Sequence, residues 1–399
     1  MTTTRPIPTR TFASRVAAVP EGGLVELLQL GQSIGAVDLA AGVPSWPSTP
    51  RELIEAACDV LRTGTNQYEN PAGNLALRTA LAGSLATPPD PVTELTVTCG
   101  GSEALCDALL ATVDPGDEVV VVEPFYENFL SAIALAGGVP RFVRRRAPDW
   151  RWDRADLAAA FGPLTRAITL NSPCNPTGRV LDAQELAEVA ELAERWNATV
   201  ISDEVYAAYV FDGRAHLSVA DVPELRERSI VIGSLSKSHA ISGWRLGYLR
   251  APAGVTAALR RVHMATTVGT AGPFQQAVAA ADLVRRDRWD PRPGMQQRRD
   301  TAVDIFTEVG LRCPPPEGGC YVFADITAVD DAGCSSYARR LLDEHGVLIA
   351  PGRLFFADQA EPSRFVRIAF NKTLDVLAAA AQRLPRTVST GKRQDVRNQ

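Results

Sequence analysis

The chain lacks several features that would assign it to common classes of protein. No apolar run reaches the roughly 18 residues that a membrane-spanning helix requires. The four histidines are far apart and the seven cysteines include no CxxC pair, so neither a zinc site nor a Ser–His–Asp triad has support. A net charge of −5 gives no basic surface for nucleic acid. These absences predict a cytoplasmic protein with reduced cysteines that binds no metal, membrane or nucleic acid.

Lysine is also scarce, and this scarcity makes one position stand out. Of 41 basic residues, only Lys237, Lys372 and Lys392 are lysines. Lys237 follows the β-branched run 229–233 and ends a turn of small residues, Ser-Leu-Ser-Lys. An amine whose pKa can fall toward neutrality forms an imine with an aldehyde, and a guanidinium cannot replace it. We therefore predict that Lys237 is a Schiff-base lysine rather than a solvated surface residue.

The order of apolar runs predicts an α/β fold. Short β-branched runs alternate with helical patterns at 102–113 and 183–196, which is typical of a mostly parallel sheet covered by helices. The predicted strands of this sheet are 95–99, 118–122, 167–171, 198–202 and 229–233. A long charged helix is predicted near 284–300, and strands at 320–326 and 365–370 indicate a smaller α+β domain.

Composition and pattern divide the chain into five segments. These are a flexible N-terminal arm (1–13), the N-terminal part of a small domain (14–50), a large domain that binds the ligand (51–284), the C-terminal part of the small domain (285–385) and a disordered tail (386–399). Within them, 14–36, 51–62 and 74–86 have helical periodicity. The arm contains two arginines and no acid, but no apolar core of a signal peptide follows it.

A glycine-rich turn lies where the predicted strand 95–99 gives way to a helix. It reads Cys-Gly-Gly-Ser-Glu-Ala-Leu over 99–105. Two glycines let the backbone approach a ligand, and Ser102 is placed to cap the helix. The helix N-terminus then presents N–H groups and the positive end of its dipole to an anion. The spacing differs from the dinucleotide fingerprint and from the P-loop, so the turn alone identifies no ligand.

Two further loops place polar side chains after strands. In Asn-Ser-Pro-Cys-Asn-Pro-Thr-Gly, two prolines fix the loop and aim the amide of Asn175. In Ser-Asp-Glu-Val-Tyr, Asp203 lies at the C-terminal end of a strand, where α/β sheets bind ligands, and Tyr206 follows it. Each loop alone is explained by turn chemistry or capping. Their occurrence in order, ahead of Lys237 and Arg245, favours one shared site.

Six motifs, taken together, show a specific resemblance to a known family. They are GGSEAL, EPFYENF, NSPCNPTG, SDEVY, SLSKSHAISGWRLGY and FVRIAF. The chain resembles the fold-type I pyridoxal-phosphate (PLP) enzymes of the class I and II aminotransferase family, and within it the kynurenine/glutamine/methionine aminotransferase branch. The resemblance covers about 14–384. It implies a PLP-dependent aminotransferase that moves an amino group between an amino acid and a 2-oxo acid, through a Lys237 aldimine and a quinonoid intermediate.

The resemblance implies a role for each residue around the PLP ring. Lys237 forms the internal aldimine and moves the proton between the substrate Cα and C4′ of PLP. Asp203 pairs with the pyridine nitrogen and keeps it protonated, which lets the ring accept electrons. Asn175 and Tyr206 hold the ring oxygen, and Tyr126 stacks on the ring face.

The resemblance also implies how the phosphate and the substrate are bound. The groups for the phosphate are the backbone of Gly101 and Ser102, the side chains of Ser234 and Arg245, and Tyr68 from a neighbouring subunit. Because Tyr68 crosses between subunits, the resemblance implies a homodimer with composite active sites. Arg367 holds the substrate α-carboxylate in a bidentate contact, and Gly42 and Asn171 line the same site.

Departures from the pattern of the branch leave the substrate open. His239 and Ala240 follow the lysine where the branch often has threonine and aromatic residues. Arg353 places a charge in a loop associated with substrate fit. Trp46 and Phe355 form either an aromatic pocket or simple packing. The amino acid and its acceptor are therefore not assigned from the sequence.

Three hypotheses for the function are carried forward. The first is transamination. The second is another reaction on the same cofactor, such as elimination, replacement, cyclisation or oxidation of an amino acid in specialised metabolism, because a fold does not decide among reactions. The third is a non-enzymatic regulator with this fold. It would need an appended DNA-binding module, and we expect none from the 13-residue arm.

Overall fold

The computed structural model describes residues 13–20, 23–64, 66–358 and 364–385. The predicted arm lies outside these residues apart from Ala13, and the predicted tail, 386–399, lies wholly outside them. The helices in the described part are α1 Ser14–Ala17, α2 Gly23–Ser33, α3 Arg51–Thr63, α4 Leu75–Ser84, α5 Gly100–Thr112, α6 Asn128–Ala136, α7 Arg154–Ala159, α8 Ala183–Arg195, α9 Pro223–Arg226, α10 Leu235–Ser238, α11 Ala253–Thr266, α12 Gly272–Ala281, α13 Arg292–Glu308, α14 Cys334–His345 and α15 Leu374–Arg383. None of these helices has the length and apolar character needed to cross a bilayer.

The strands are short, and most belong to one large sheet. They are β1 Val37–Asp38, β2 Leu95–Cys99, β3 Glu118–Glu123, β4 Val139–Arg146, β5 Arg151–Trp152, β6 Thr165–Asn171, β7 Thr199–Asp203, β8 Ser229–Ser234, β9 Leu246–Arg250, β10 Tyr321–Asp325, β11 Val347–Leu348, β12 Ala350–Pro351 and β13 Phe365–Ala369. The large sheet has the order β2-β9-β8-β7-β6-β3-β4-β5. Neighbours from β8 to β4 are parallel, whereas β9 is antiparallel to β2 and β8. The predicted mostly parallel sheet is confirmed.

The apolar runs form strands because helices cover both faces of the sheet. Every residue of β3 is buried, as in parallel sheets packed on two sides. Val119 and Val121 pack in the cluster that includes α5 and α6, and Val120 and Val122 pack in the cluster that includes α8. This alternation is the two-residue period of a strand. A capping box at Asp182 starts α8, so its register on the sheet is set locally.

Two smaller sheets join the N-terminal segment to the C-terminal part of the chain. β1 pairs with β11 in parallel, with Val37 opposite Val347. β13 lies between β10 and β12 and is antiparallel to both, which places Arg367 opposite Phe323. Together with α14 and α15, these strands form the smaller α+β unit that the sequence predicts at its C-terminal end.

Two predicted helices differ from the structure. The pattern at 14–36 is divided into α1 and α2, because Pro20 cannot continue a helix. The charged stretch near 284–300 is not one helix. Residues 284–290 form turns, and α13 starts only at Arg292, next to Pro291 and Pro293. Proline is accepted in a first helical turn and not in a helix interior, so the two prolines fix the later start.

Candidate active site

A cavity of about 290 Å³ lies at one edge of the large sheet. Every predicted site residue except Tyr68 lines it. They are Gly42, Gly101, Ser102, Tyr126, Asn171, Asn175, Asp203, Tyr206, Ser234, Lys237, Arg245 and Arg367. The fold therefore brings together residues that lie up to 325 positions apart, between Gly42 and Arg367 (367 − 42).

The direction of the strands explains why these residues meet. Strands β2, β6, β7 and β8 end in turn at Cys99, Asn171, Asp203 and Ser234. The four strands run the same way, so their carboxyl ends share one edge, the usual place for ligands in α/β proteins. β9 runs the opposite way and starts at this edge, directly after Arg245.

The start of α5 forms a corner suited to an anion. The helix begins at Gly100 with Cys99 as its N-cap residue, so the prediction that Ser102 caps it is wrong, and Ser102 lies in the first turn. Gly100 has a φ of 75°, and a Cβ there would collide with the guanidinium of Arg245. Arg245 donates to carbonyls of Cys99 and Ser242 and forms no ion pair with a described acid. Helix N–H groups and a guanidinium without a counter-charge thus meet in this corner.

Lys237 lies inside the cavity on the one-turn helix α10. Ser234 caps this helix by accepting the N–H of Ser236 at 3.1 Å. The Nζ of Lys237 donates to the carbonyl oxygen of Gly42 at 2.9 Å. Burial lowers the pKa of Lys237, and the charge of Arg367 lowers it further. An amine with a lowered pKa is the form of lysine that can act as a nucleophile.

Asp203 is buried in the cavity wall at the end of β7. Burial raises the pKa of Asp203 to about 7, against the hydrogen bond that Val205 N–H donates to its Oδ1 at 3.1 Å. Its carboxylate forms no ion pair with any cation in the described part of the chain. A buried carboxylate becomes ionised when a cation lies against it. Asp203 is therefore suited to hold a protonated ring nitrogen.

A chain of amide hydrogen bonds connects Asp203 to Arg367. Asn171 Nδ2 donates to the backbone oxygen of Asp203 at 2.9 Å, and Asn171 Oδ1 accepts the Asn175 N–H at 2.6 Å. Asn175 Oδ1 in turn accepts from Nη1 of Arg367 at 3.0 Å. This last contact orients the Asn175 amide, so that its Nδ2 is the group left to donate to a ligand.

The guanidinium of Arg367 is held flat at the far side of the cavity. It lies 4.3 Å from the ring centre of Tyr321 and 4.6 Å from that of Phe355. Nη2 donates to the carbonyl of Ala40 at 2.7 Å, whereas the buried Nε has no hydrogen-bond partner. A planar cation with an unused donor is suited to a carboxylate.

Three tyrosines surround the centre of the cavity. Burial raises the pKa of Tyr126 to about 12 and that of Tyr206 well above its usual range, so both are neutral donors near pH 7. The hydroxyl of Tyr206 lies 3.2 Å from that of Tyr321. The sequence analysis did not identify Tyr321. Its alternation with Phe323 on β10 was the signal available, since both side chains point to one face of that strand.

A second buried lysine contacts the site from behind the cavity wall. Lys372 Nζ donates to the carbonyls of Ala41 and Val43 at 3.0 and 3.2 Å. Between them, the Gly42 carbonyl accepts from Lys237. Lys372 was not predicted to contact the site, although it is one of only three lysines in the chain. It holds the backbone that carries the Lys237 acceptor.

A group of the half-buried Glu103 with the buried Asp107 and His263, next to the anion corner, resembles a metal site in composition. His263 Nε2 lies 2.9 Å from the carbonyl of Pro71, and Nδ1 lies 3.0 Å from Glu103 Oε1. Burial lowers the pKa of His263, but the hydrogen bonds to Asp107 and Glu103 outweigh it and raise the pKa to about 9. The two carboxylates lie 3.0 and 3.5 Å from Nδ1 of His263, so this group forms an ion pair when the imidazole is protonated.

Three residues singled out from the sequence lie outside the cavity. Tyr68 is 91% exposed. Trp46 packs beneath Arg298, whose guanidinium is 3.8 Å from its ring centre, so Trp46 serves packing. Arg353 donates to Ser335 Oγ at 2.6 Å and does not line the cavity. Phe355, the other aromatic candidate, does line it.

Known proteins of one family match this chain over most of its length. Residues 34–384 match the family described as aminotransferase class I and II. The chain is 34% identical over 364 residues to methionine aminotransferase of Escherichia coli, covering 90% of this chain and 94% of that protein. It is 32% identical to kynurenine–oxoglutarate transaminase of Dictyostelium discoideum, covering 87% and 90% of the two chains. The solved structure of N-succinyldiaminopimelate aminotransferase from Mycobacterium tuberculosis matches with a TM-score of 0.86 and 34% identity, covering 94% of this chain and 99% of that one.

The chain therefore belongs to the class I and II aminotransferases and has their fold-type I architecture. It is a PLP-dependent enzyme that transfers an amino group between an amino acid and a 2-oxo acid. The cavity fits this cofactor. The anion corner, the buried acid without a counter-charge and the lysine of lowered pKa offer separate partners for a phosphate, a ring nitrogen and an aldehyde.

Proposed function

We propose that this aminotransferase acts on amino acids with neutral, largely apolar side chains. The observation that supports this proposal is the small number of cationic side chains that line the cavity. The cations among its described lining residues are Lys237, Arg245 and Arg367. Arg245 belongs to the anion corner, which leaves Arg367 to bind the α-carboxylate. Among the described lining residues of one chain, a side-chain carboxylate has no cation of its own, and Glu127 repels it.

The rest of the wall favours an apolar side chain. Apolar side chains that line the cavity include Leu24, Leu28, Val43, Leu105 and Phe355. Leu24 and Leu28 come from α2 and are four residues apart, so they lie on one face of that helix. Among the relatives named above, methionine aminotransferase has the name of an apolar donor. N-succinyldiaminopimelate aminotransferase has the name of an acidic one, so the proposal rests on the lining of the cavity and not on the names of relatives.

PLP, when bound, supplies an aldehyde that reacts with amines and a ring that accepts electron density. Lys237 Nζ would hold the cofactor through its aldehyde and, when free, would take the proton from the substrate α-carbon. Asp203 holds a proton on the ring nitrogen. Asn175 and Tyr206 donate to the ring oxygen, and Tyr126 packs on the ring face.

The anion corner binds the phosphate, and the far side of the cavity orients the substrate. The phosphate ligands are the N–H groups of Gly101 and Ser102 with the side chains of Ser234 and Arg245. Arg367 binds the substrate carboxylate through its unused Nε and a neighbouring Nη. Gly42 and Asn171 limit the space around that carboxylate.

The choice of donor is tested by a half-reaction without any 2-oxo acid. Methionine, leucine and phenylalanine should remove the visible absorbance of bound PLP with kcat/KM values on the order of 10²-fold above those of aspartate and glutamate, because an unpaired carboxylate is costly to bury. Absorbance in a stopped-flow mixer measures the rates. Equal rates for acidic and apolar donors would overturn the proposed substrate class while leaving the aminotransferase activity intact.

The same experiment separates transamination from the other reactions that this cofactor supports. A transaminase releases one 2-oxo acid per PLP and stops until an acceptor is added. Release of ammonia over many turnovers without an acceptor would instead indicate elimination or oxidation.

We also propose that the enzyme is a homodimer with composite sites. Tyr68 is 91% exposed, and Met264 and Val268 are 49% and 43% exposed. Met264 lies on α11 and Val268 follows the end of that helix, and the carbonyl of Pro71, three residues after Tyr68, lies 2.9 Å from Nε2 of His263 on the same helix. This contact brings the segment of Tyr68 to α11, and grouped exposed apolar side chains are typical of interfaces. A second copy seated here would bring Tyr68 to the phosphate of its neighbour.

Mixing two defective variants tests the composite site. Lys237→Ala chains and Tyr68→Ala chains should each be impaired alone. In a mixed dimer, one site combines an intact Lys237 with an intact Tyr68, so random exchange should restore activity to about a quarter of the wild-type sites. Activity is measured after unfolding and refolding the two variants together.

As the control, each variant is refolded alone at the same total protein concentration, and no activity should return. No gain on mixing, with dimers present in size-exclusion chromatography, would show that Tyr68 does not complete the partner site. A fully active monomer at high dilution would contradict the dimer itself.

We also propose a division into two domains and a cytoplasmic location. The large sheet lies within 95–250, and the two smaller sheets connect 37–38 with 321–369, which supports a large domain of 51–284 and a small domain of 14–50 with 285–385. All seven cysteines are free, which supports a reducing cytoplasm.

A further inference from the structure

Tyr321 is a buried residue of β10 that contacts two groups of the proposed site at once. Its side chain is 3% exposed and lines the cavity. Its hydroxyl lies 3.2 Å from the hydroxyl of Tyr206. Its ring face lies beneath the guanidinium of Arg367, 4.3 Å from the ring centre. One side chain thus connects the group proposed to hold the cofactor ring with the group proposed to hold the substrate.

The backbone of the opposite wall makes room for this hydroxyl. A Cβ on Gly42 would collide with the Tyr321 hydroxyl oxygen, so Gly42 is required by Tyr321 at this position. The same Gly42 carries the carbonyl that accepts from Lys237. The hydroxyl of Tyr321 therefore lies against Gly42, which binds Lys237, and next to the hydroxyl of Tyr206.

The chemistry of two phenols gives the hydrogen bond between them a direction. A phenol has one hydrogen to donate. If Tyr206 donates that hydrogen to the cofactor ring oxygen, its own oxygen accepts from Tyr321. A donor that itself accepts a hydrogen bond becomes a stronger donor. The thiol of Cys320 also lies next to both hydroxyls, but burial raises its pKa, and a neutral thiol is a weak donor.

The ring of Tyr321 acts on Arg367 by a different contact. The guanidinium lies between the rings of Tyr321 and Phe355, at 4.3 and 4.6 Å. Contact with two rings restricts the position of the guanidinium, and its buried Nε has no hydrogen-bond partner among the described residues, which leaves that donor for a carboxylate. The hydroxyl plays no part in this contact, so the two effects of Tyr321 can be separated by substitution.

We propose that Tyr321 is a positioning residue with two separable effects: its hydroxyl strengthens the hydrogen bond from Tyr206 to the cofactor, and its ring orients Arg367 for the substrate carboxylate. The proposal rests on the roles proposed above for Tyr206 and Arg367. It concerns no atom that reacts, because Tyr321 acts through these two residues.

The hydroxyl is tested in the holoenzyme by titrating the visible absorbance of bound PLP with pH. A hydrogen bond to the ring oxygen stabilises its negative charge and so favours the deprotonated form of the bound cofactor. Losing the bond therefore raises the pH at the midpoint of the titration. Tyr206→Phe should raise the midpoint by about one pH unit and Tyr321→Phe by about half a unit. The double variant should match Tyr206→Phe alone, because Tyr321 acts only through Tyr206.

The matched control is Tyr337→Phe. Tyr337 is also 3% exposed, but it lies on α14 away from the cavity and its buried hydroxyl has no hydrogen-bond partner. Loss of the Tyr337 hydroxyl should leave the midpoint unchanged.

Three outcomes would contradict the proposal. A shift for Tyr206→Phe without one for Tyr321→Phe would overturn the role of Tyr321 and leave that of Tyr206 intact. No shift for Tyr206→Phe would overturn the proposed role of Tyr206, and this inference with it. A Tyr321→Phe shift that persists in the double variant would show that Tyr321 contacts the cofactor directly, against the proposal.

The ring is tested by the binding of 3-phenylpropionate, an apolar carboxylate without an amine, to the holoenzyme. Tyr321→Phe keeps the ring and should change the dissociation constant by less than about twofold, whereas Tyr321→Leu should weaken binding about tenfold. Arg367→Gln serves as the reference for a lost carboxylate contact. Equal affinities for the Phe and Leu variants, with Arg367→Gln impaired, would show that the ring does not orient Arg367.

Discussion

The variant Lys237→Ala should fold, lose the visible absorbance of bound PLP and lose turnover by on the order of 10⁴-fold or more. In the role proposed for Lys237, one substitution removes both the covalent attachment of the cofactor and the base that moves the substrate proton. The fold should persist because the Lys237 side chain makes one hydrogen bond, to the Gly42 carbonyl. An absorbance spectrum and a steady-state assay measure the two losses, and circular dichroism checks the fold.

The matched control for this loss is Lys237→Arg, which keeps a cation but cannot form the bond. It should be as inactive as the alanine variant. Added ethylamine should restore part of the activity of Lys237→Ala, where the side chain leaves space, and none of Lys237→Arg. Turnover close to the wild-type rate without added amine would refute the assignment of Lys237.

The variant Asp203→Asn should still bind PLP but slow the proton transfer by about 10³-fold. The anion corner and Lys237 are unchanged, so binding and absorbance remain. An amide cannot hold a proton on the ring nitrogen as a carboxylate does. Stopped-flow absorbance with methionine measures the step, and α-deuterated methionine shows whether proton transfer has become limiting.

The matched control for Asp203 is its neighbour Glu204. This acid is also buried, but it faces His216 at 2.8 Å and does not line the cavity. In folded Glu204→Gln, the rate of proton transfer should stay within about tenfold of the wild-type rate. If Asp203→Asn falls in the same range, then Asp203 is a structural residue of the strand end.

The same substitution has a signature in the cofactor-free protein. Burial raises the pKa of Asp203 to about 7, so the folded chain binds a proton that the unfolded chain releases between pH 4 and 7. The free energy of unfolding should therefore fall as the pH rises through this range. In Asp203→Asn this part of the fall should be absent, as denaturant titrations at several pH values would show.

The large sheet could be predicted because its strands carry their own signal. The β-branched runs that became β2, β3, β6, β7 and β8 are short, apolar and separated by helical patterns. The error near 284–300 has a local cause, since charge and length suggested a helix while Pro291 delays its start. Ser102 was wrongly predicted as the cap because α5 starts two residues earlier, at Gly100. At that position there is room only for a glycine beside Arg245, which comes from a remote part of the chain.

The site was predictable where its residues follow strands in recognisable loops. Asn175, Asp203 and Lys237 are of this kind, and the cavity contains all three. Tyr321 and Lys372 are not, because their contacts are with carbonyls and hydroxyls of residues more than 100 positions away. Such contacts depend on pairing between distant strands, which cannot be predicted from a local sequence pattern.

The contacts between the segment at 40–43 and later parts of the chain have a consequence for how the protein is made. Lys237 Nζ contacts a carbonyl 195 positions earlier, and Arg367 contacts one 327 positions earlier. The large sheet can form on the ribosome from residues 95–250, but the cavity stays open until β13 has been synthesised and docks against the segment at 40–43. Contacts of such long sequence separation form slowly. A chain that stops before Arg367 therefore carries Lys237 without the wall that completes the cavity, and we expect such a chain to bind the cofactor less tightly than the full chain.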